Sequence, residues 1–196
     1  MRWYWRRLLI AGGVRVGSDV FYALIVVFGL TYVTTVLNLS RTLALTAIMA
    51  GSVVNALTIP FFGVFSDRVG RRAVYGAGAV TGMLWAFAFF VLADTGTPLL
   101  VILAVVIGLI FHAAMFGPQA AFVTEQFPTR VRYAGSSLAY TLAGIVGGGF
   151  APLIMASLFR AYHTTTVISL YVVAALGVTC VALLAARETG KSALDS

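Results

Sequence analysis

Charge is what this chain most lacks. Of its 196 residues only 10% are charged, with six acidic side chains against thirteen Lys and Arg, while 61% are hydrophobic and the mean hydropathy is +1.00. A soluble domain carries about 25% charged residues, so a water-soluble fold is excluded in favour of a polytopic membrane protein. Cysteine is almost absent. The lone Cys180 lies inside an apolar run, which rules out an internal disulfide and a thiol-rich metal site and leaves packing as its role. No nucleotide-binding loop, metal-ligand cluster or nucleophile–base pair can be assembled, so no metal, cofactor or enzymatic activity is expected. The net charge of +7 comes from basic residues scattered at the ends of apolar runs. Without a basic face or a nucleic-acid motif, they read as topology signals rather than a nucleic-acid footprint.

What is present is a succession of apolar runs, each near the 20 residues a membrane span needs. Six are read, at about 16–37, 42–62, 73–92, 98–116, 133–158 and 166–186, in a single domain covering 1–196. Their lengths and uniform apolarity favour an all-α bundle over a barrel, whose strands are about ten residues long and alternate strictly. The basic start, with Trp3, Tyr4 and Trp5, imitates a signal peptide, but Arg15 ends its apolar core after seven residues. It fits better as an interfacial belt.

A polar island, Gly63-Val-Phe-Ser-Asp-Arg-Val-Gly-Arg-Arg72, divides the second and third runs. A central Arg or Asp in hydrocarbon costs at least about 2.5–3.5 kcal/mol on insertion scales, so the island is expected to be a short aqueous turn. Gly63 and Gly70 would form it, Asp67 would cap the following helix, and Arg68, Arg71 and Arg72 would anchor it. Orientation follows from the basic residues. Arg2, Arg6, Arg7, Arg68, Arg71, Arg72, Arg130, Arg132, Arg187 and Lys191 fall on one side and only Arg41 and Arg160 on the other, which places both termini in the cytoplasm. Gly117-Pro118 and Gly147-Gly148-Gly149 with Pro152 are expected to interrupt the fourth and fifth spans and turn them toward the bundle interior. Gly78 with Gly82, and Gly144 with Gly148, have the spacing of close helix contacts; packing alone explains these features equally well.

The spelling G-x-x-S-D-R-x-G-R-R resembles the signature loop of the major facilitator superfamily, although any basic loop obeying the positive-inside rule would share part of it. A second stretch is more specific. Gly117-Pro-Gln-Ala-Ala, followed by Glu125-Gln-Phe-Pro-Thr-Arg130-Val-Arg-Tyr-Ala-Gly-Ser-Ser-Leu138, is similar to the link between the tenth and eleventh helices of the metabolite:proton symporter family. That branch contains proline/betaine, α-ketoglutarate, citrate and shikimate carriers. Arg6-Arg-Leu-Leu-Ile-Ala-Gly-Gly-Val-Arg15, then Phe21-Tyr22, resembles the entry to its seventh helix. The resemblance covers nearly the whole chain, yet family members are twice as long. It implies the C-terminal six-helix half of the fold, as a fragment, a split-gene product or a half that needs a partner. Expected partners are a small substrate, protons, the lipid bilayer, and either an N-terminal six-helix half or a second copy. The implied location is a bacterial inner membrane. A truncated, non-transporting membrane remnant or scaffold is the alternative.

The resemblance also implies a substrate near the midplane and proton transfer by buried carboxylates; an ionisable group inside a span is itself a functional signal. Arg15, Asp19 and Tyr22 share one helical face at i, i+4 and i+7. Protonating Asp19 would free Arg15 for a substrate carboxylate; alternatively, Arg15 snorkels at the boundary and Asp19 merely pairs with it. His112 and Gln119, seven apart, would look into the cavity, with His112 either accepting protons or simply hydrogen-bonded. Asn55 reads as a polar contact or interhelical glue, and Tyr140 as a substrate contact or aromatic packing. Glu125 with Arg130 and Arg132 would mirror Asp67 with Arg71 as ion pairs at helix ends. Such pairs serve either as gates that break during transport or as static bridges.

Overall fold

The structure is a computed structural model that describes residues 2–186, with side chains from residue 5 onward. Arg187 and Lys191, and the side chains of Arg2, Trp3 and Tyr4, therefore lie outside the described residues. Among those described, every element is helical. Six helices are long and apolar enough to cross a membrane: α1 (Trp5–Val36), α2 (Arg41–Val69), α3 (Arg71–Ala93), α4 (Pro98–Glu125), α5 (Thr129–Tyr162) and α6 (Thr165–Ala185).

The helices outrun the apolar segments. At about 1.5 Å per residue, the 29 residues of α2 exceed a hydrocarbon core about 30 Å thick, so its last turns project into water while keeping their backbone bonds. The polar island is accordingly not a ten-residue turn. Gly63 and Asp67 are helical, and the chain reverses at Gly70 alone, whose φ of 117° suits only glycine. Asp67 does not cap α3: Gly70 is the N-cap residue without a side-chain bond, and Asp67 reaches forward to Arg71 instead. Similarly, α4 runs unbroken through Gly117-Pro118 to Glu125, and α1 is helical well before residue 16. In these places polar sequence marks where a helix leaves the membrane, not where it ends.

Glycine earns its place where backbones nearly touch. A Cβ on Gly117 would meet the Ile59 carbonyl at 2.7 Å and the Gly63 nitrogen at 2.9 Å, so Gly63 and Gly117 form the crossing of α2 and α4. Pro60 and Pro118 lie beside it, one in each helix. Gly78 abuts Met115, as its spacing suggested, but the α5 contact is shifted by one residue. A Cβ on Gly147 would meet Val16 O at 2.8 Å and Asp19 Cβ at 2.9 Å, whereas Gly148 has open space. The expected interruption of α5 is a wide π-helical segment, Gly144–Gly149, ending at Phe150 before Ala151–Tyr162 resumes. Two further π segments, Ala23–Phe28 and Tyr32–Val36, lie in α1. π segments of this kind recur at functional sites.

Successive helices run antiparallel, which sorts the polar groups to two ends. At the arginine end the start of α1 meets the α4–α5 junction, where Arg7 Nη1 donates to Gln126 O at 3.1 Å, and Arg72 Nη2 donates to Leu184 O at 2.6 Å. At the opposite end Tyr32 Oη donates to Asp94 Oδ1 at 2.6 Å, inside an aromatic cluster with Phe28, Phe90 and Phe159. Helix α1 is the most enclosed and α2 the least.

The glycine contacts give a direct prediction. Gly147→Ala, which forces a methyl onto α1 backbone, should destabilise the detergent-solubilised chain by about 1–3 kcal/mol, while Gly148→Ala leaves melting unchanged. Equal effects in a thermal melt would contradict the packing register of α5 on α1.

Candidate functional site

The site begins with an ion pair that the membrane makes expensive to leave open. Arg15 Nε donates to Asp19 Oδ2 at 2.7 Å, one turn apart on α1, with side chains 19% and 12% exposed. The helix extends well beyond Arg15 toward the N-terminus, and the guanidinium turns to Asp19 on the next turn of the same helix. The Arg15 guanidinium lies over the Tyr140 ring of α5, 4.2 Å from its centroid, a cation–π contact. Gly144, one turn beyond Tyr140, also faces the pair: a Cβ there would stand 3.9 Å from Arg15 Nη2, an ordinary contact. Only Nε is committed to Asp19, and no acceptor among the described residues bonds Nη1 or Nη2. That edge presents two parallel N–H donors, which can hold a carboxylate in bidentate fashion.

Tyr22, the third member of the expected face, is 38% exposed and packs its ring 4.9 Å from that of His112, which in turn lies 5.3 Å from Phe116. His112 does not open into a cavity. It is 5% exposed, and Asn55 of α2 ties it to α4 by donating to Leu109 O at 2.6 Å and lying 3.2 Å from His112 Nδ1. With both Asn55 hydrogens used as donors, Nδ1 must accept, and the imidazole proton resides on Nε2. A second proton at Nδ1 would face N–H, so the arrangement disfavours proton uptake there. Asn55 is thus interhelical glue with a tautomer-setting consequence.

Gln119 is also buried, at 1% exposure, not cavity-facing as its spacing suggested. Its Oε1 accepts from Tyr75 Oη at 3.0 Å, and the same phenol donates to Val14 O at 2.8 Å. Tyr75 was missed in the sequence because an aromatic residue in an apolar run looks like packing until its hydroxyl finds partners. Thr179 was missed for the same reason: from α6 its hydroxyl accepts from Gly17 N at 3.0 Å and donates to Gly13 O at 2.8 Å, bridging one rung of α1. Two hydroxyls from neighbouring helices therefore brace α1 around Arg15.

At the arginine end, Arg71 joins two helices. Its Nε and Nη2 bond Asp67 Oδ1 at 3.1 and 2.9 Å, and its Nη1 bonds Glu125 Oε1. Glu125 therefore pairs with Arg71 rather than with Arg130 or Arg132 as expected. The ion pairs among the described residues leave those two out; Arg132 donates to Phe127 O at 3.4 Å and Arg130 is exposed. The reason is geometric: the continuous α4 brings Glu125 to the start of α3, past the turn that carries Arg130. Arg68 is exposed on α2, and Arg72 is committed to the end of α6. No group of three or more His, Cys, Asp or Glu able to hold a metal occurs among the described residues.

Similarity to known proteins agrees with this architecture. The family model described as Major Facilitator Superfamily matches residues 14–195. The chain is 35% identical over 186 residues to the "Inner membrane metabolite transport protein YhjE" of Escherichia coli (strain K12), covering 92% of the chain and 42% of that protein. It is 35% identical to the "Shikimate transporter" of the same organism over 69% of the chain and 31% of the relative. It is also 35% identical to a "Citrate-proton symporter" of Klebsiella pneumoniae over 79% and 35%, respectively. The chain thus spans less than half the length of these curated relatives. No solved structure matches it significantly. Six apolar helices, the Arg71 junction and these matches together place the chain in the major facilitator superfamily, within its metabolite:proton symporter family, as one six-helix half of that fold.

Proposed function

We propose that the chain is the C-terminal half of a proton-coupled secondary transporter for a small organic acid or zwitterion, working by alternating access against a complementary half. That complement is an N-terminal six-helix half or a second copy of this chain. The arginine end faces the cytoplasm, with both termini there, and the host is a bacterial inner membrane; the excess of Arg at that end supports this orientation. The observation that carries the reading is the Arg15–Asp19 pair, enclosed in a membrane helix with one guanidinium edge uncommitted. When Asp19 is ionised, the pair is neutral and Arg15 is occupied. When Asp19 takes a proton, Arg15 keeps an unbalanced charge in low dielectric, and a substrate carboxylate is the group that restores neutrality. Proton and anionic substrate therefore favour each other's binding, which is what symport requires. Tyr140 and Tyr22 border the same face and complete the wall, while His112, Asn55 and Gln119 back it.

The Asp67–Arg71–Glu125 group acts as the gate. It joins the ends of α2, α3 and α4 in partial contact with water, where exposed ion pairs are each worth about 0.2–1 kcal/mol. That strength can bias one conformation and still yield as the half rocks. Arg68, Arg72, Arg130 and Arg132 supply the surrounding positive field, with Gly63 and Gly70 setting the crossing and the turn.

Three outcomes follow for the carrier reconstituted with its complementary half. Asp19→Asn should abolish proton-driven accumulation yet preserve substrate exchange, read by uptake and counterflow in proteoliposomes; unchanged uphill uptake would remove the coupling role. His112→Gln should leave the pH profile of uptake intact, whereas loss of that profile would make His112 the proton carrier. Glu125→Gln should change turnover by about two- to fivefold with substrate affinity preserved, and a large affinity change at normal turnover would contradict gating.

A further inference from the structure

At the arginine end the first turns of α1 and α5 leave a groove between them. It holds about 280 Å³ and is walled by Trp5 and Leu8 of α1 and by Val131, Ala134 and Leu138 of α5, with the buried Phe127 at its base. The Phe127 ring lies directly against Gly135, where no Cβ fits, so base and wall are packed together. From Val131 to Leu138 the α5 wall is about 10 Å long, at about 1.5 Å per residue.

The groove and the Arg15 site occupy opposite flanks of α5. At about 100° per residue, Leu138 and Tyr140 leave the helix in nearly opposite directions. The flank that carries Tyr140 exposes Tyr133, Ser137 and Thr141. The flank that carries the groove continues into Leu142 and Ile145, 45% and 50% exposed, and on α1 Leu9 extends the same apolar surface beside Trp5. An apolar surface of this kind, turned away from the Arg15 face, suits lipid.

Positive charge stands at one end of the groove. Arg132 Nε donates to Phe127 O at 3.4 Å and Arg7 Nη1 donates to Gln126 O at 3.1 Å, so two guanidiniums lie at consecutive carbonyls of the segment that forms the base. Arg6 follows Trp5 and Arg130 precedes Val131, and both are exposed. Arg6, Arg130 and Arg132 take part in none of the ion pairs among the described residues, and Glu125 nearby is engaged by Arg71. Aromatic side chains at headgroup level, an apolar slot and a cluster of arginines together match a molecule with an acyl chain and an anionic head.

We propose that this groove binds an anionic phospholipid, with one acyl chain lying between α1 and α5 along Leu8 and Leu138 and the phosphate held by Arg132 together with Arg130 and Arg6. The lipid ties the start of α1 to the start of α5, the two helices that carry Arg15 and Tyr140. The site requires only that the chain spans a membrane and stands apart from the transport reading.

Trp5 lines the groove and reports on its occupant. The chain is reconstituted in phosphatidylcholine vesicles that contain a small fraction of phosphatidylglycerol or phosphatidylcholine with brominated acyl chains, and bromine quenching is followed in the emission that Trp5→Phe removes. Brominated phosphatidylglycerol should quench at about one-fifth or less of the mole fraction that brominated phosphatidylcholine needs, because each arginine near the surface favours an anionic lipid by about fivefold. Arg132→Gln should reduce that preference about fivefold. Ala134→Leu, which fills the groove from an exposed position, should abolish the preference. Equal quenching by both lipids in the parent would reduce the groove to ordinary membrane contact and overturn the site. Quenching by neither would mean that protein, such as a second copy, covers the groove, and would overturn it too. A preference that survives Ala134→Leu would put the lipid on the arginines alone and overturn the acyl-chain slot. Should Arg132→Gln fail to fold, the comparison of the parent with Ala134→Leu still decides the site.

Discussion

The structure depends on the cost of leaving a charge alone where water is scarce. The described residues contain four carboxylates, Asp19, Asp67, Asp94 and Glu125, and each has a named partner: Arg15, Arg71, Tyr32 and Arg71. Only the Arg15–Asp19 pairing lies within a helix rather than at the helix ends. A single strong ion pair beside an aromatic face, inside an otherwise apolar bundle, concentrates the electrostatic options of the half at one place. The other pairings mark the two ends, where water moderates their strength.

The half is layered around that pair. In front are Arg15, Asp19, Tyr140 and the half-exposed Tyr22; behind are hydroxyls and amides that hold the front in register. Tyr75 and Thr179 reach α1 backbone from α3 and α6, and Asn55 fixes His112 between α2 and α4. This backing pins the α1 turn that carries Arg15 from two neighbouring helices. The contact between Gly147 and Asp19 lies within the π segment of α5 and one turn before the first π segment of α1. The widened turns place the two helices that carry the pair and its aromatic cover against each other at that point.

Much of this was legible in the sequence. The six apolar runs and the shared face of Arg15 and Asp19 follow from apolar length and a 3.6-residue period, and both signals survive in the structure. What misled was the reading of polarity as a break. The segment from Gly63 to Val69 is polar yet helical because helix ends can project beyond the hydrocarbon, and Gly117-Pro118 stays helical because α2 covers it. Cavity exposure was misjudged for His112 and Gln119, since helical spacing tells which residues share a face but not which neighbour covers that face. The partner of Glu125 was likewise misassigned, because charges close in sequence lost to Arg71, which is close only after α3 and α4 pack. Tyr75, Thr179 and Asp94 had no local signal, as their roles arise from carbonyls and hydroxyls on other helices.

The central claim is that Asp19 exchanges its partner for a proton when substrate arrives at Arg15. Infrared difference spectroscopy of the reconstituted carrier, comparing substrate-free and substrate-bound states near neutral pH, observes this exchange at the carboxyl itself. The account predicts a protonated-carboxyl band that appears on substrate binding and is missing in Asp19→Asn. A bound state in which Asp19 remains ionised and no such band appears would contradict it.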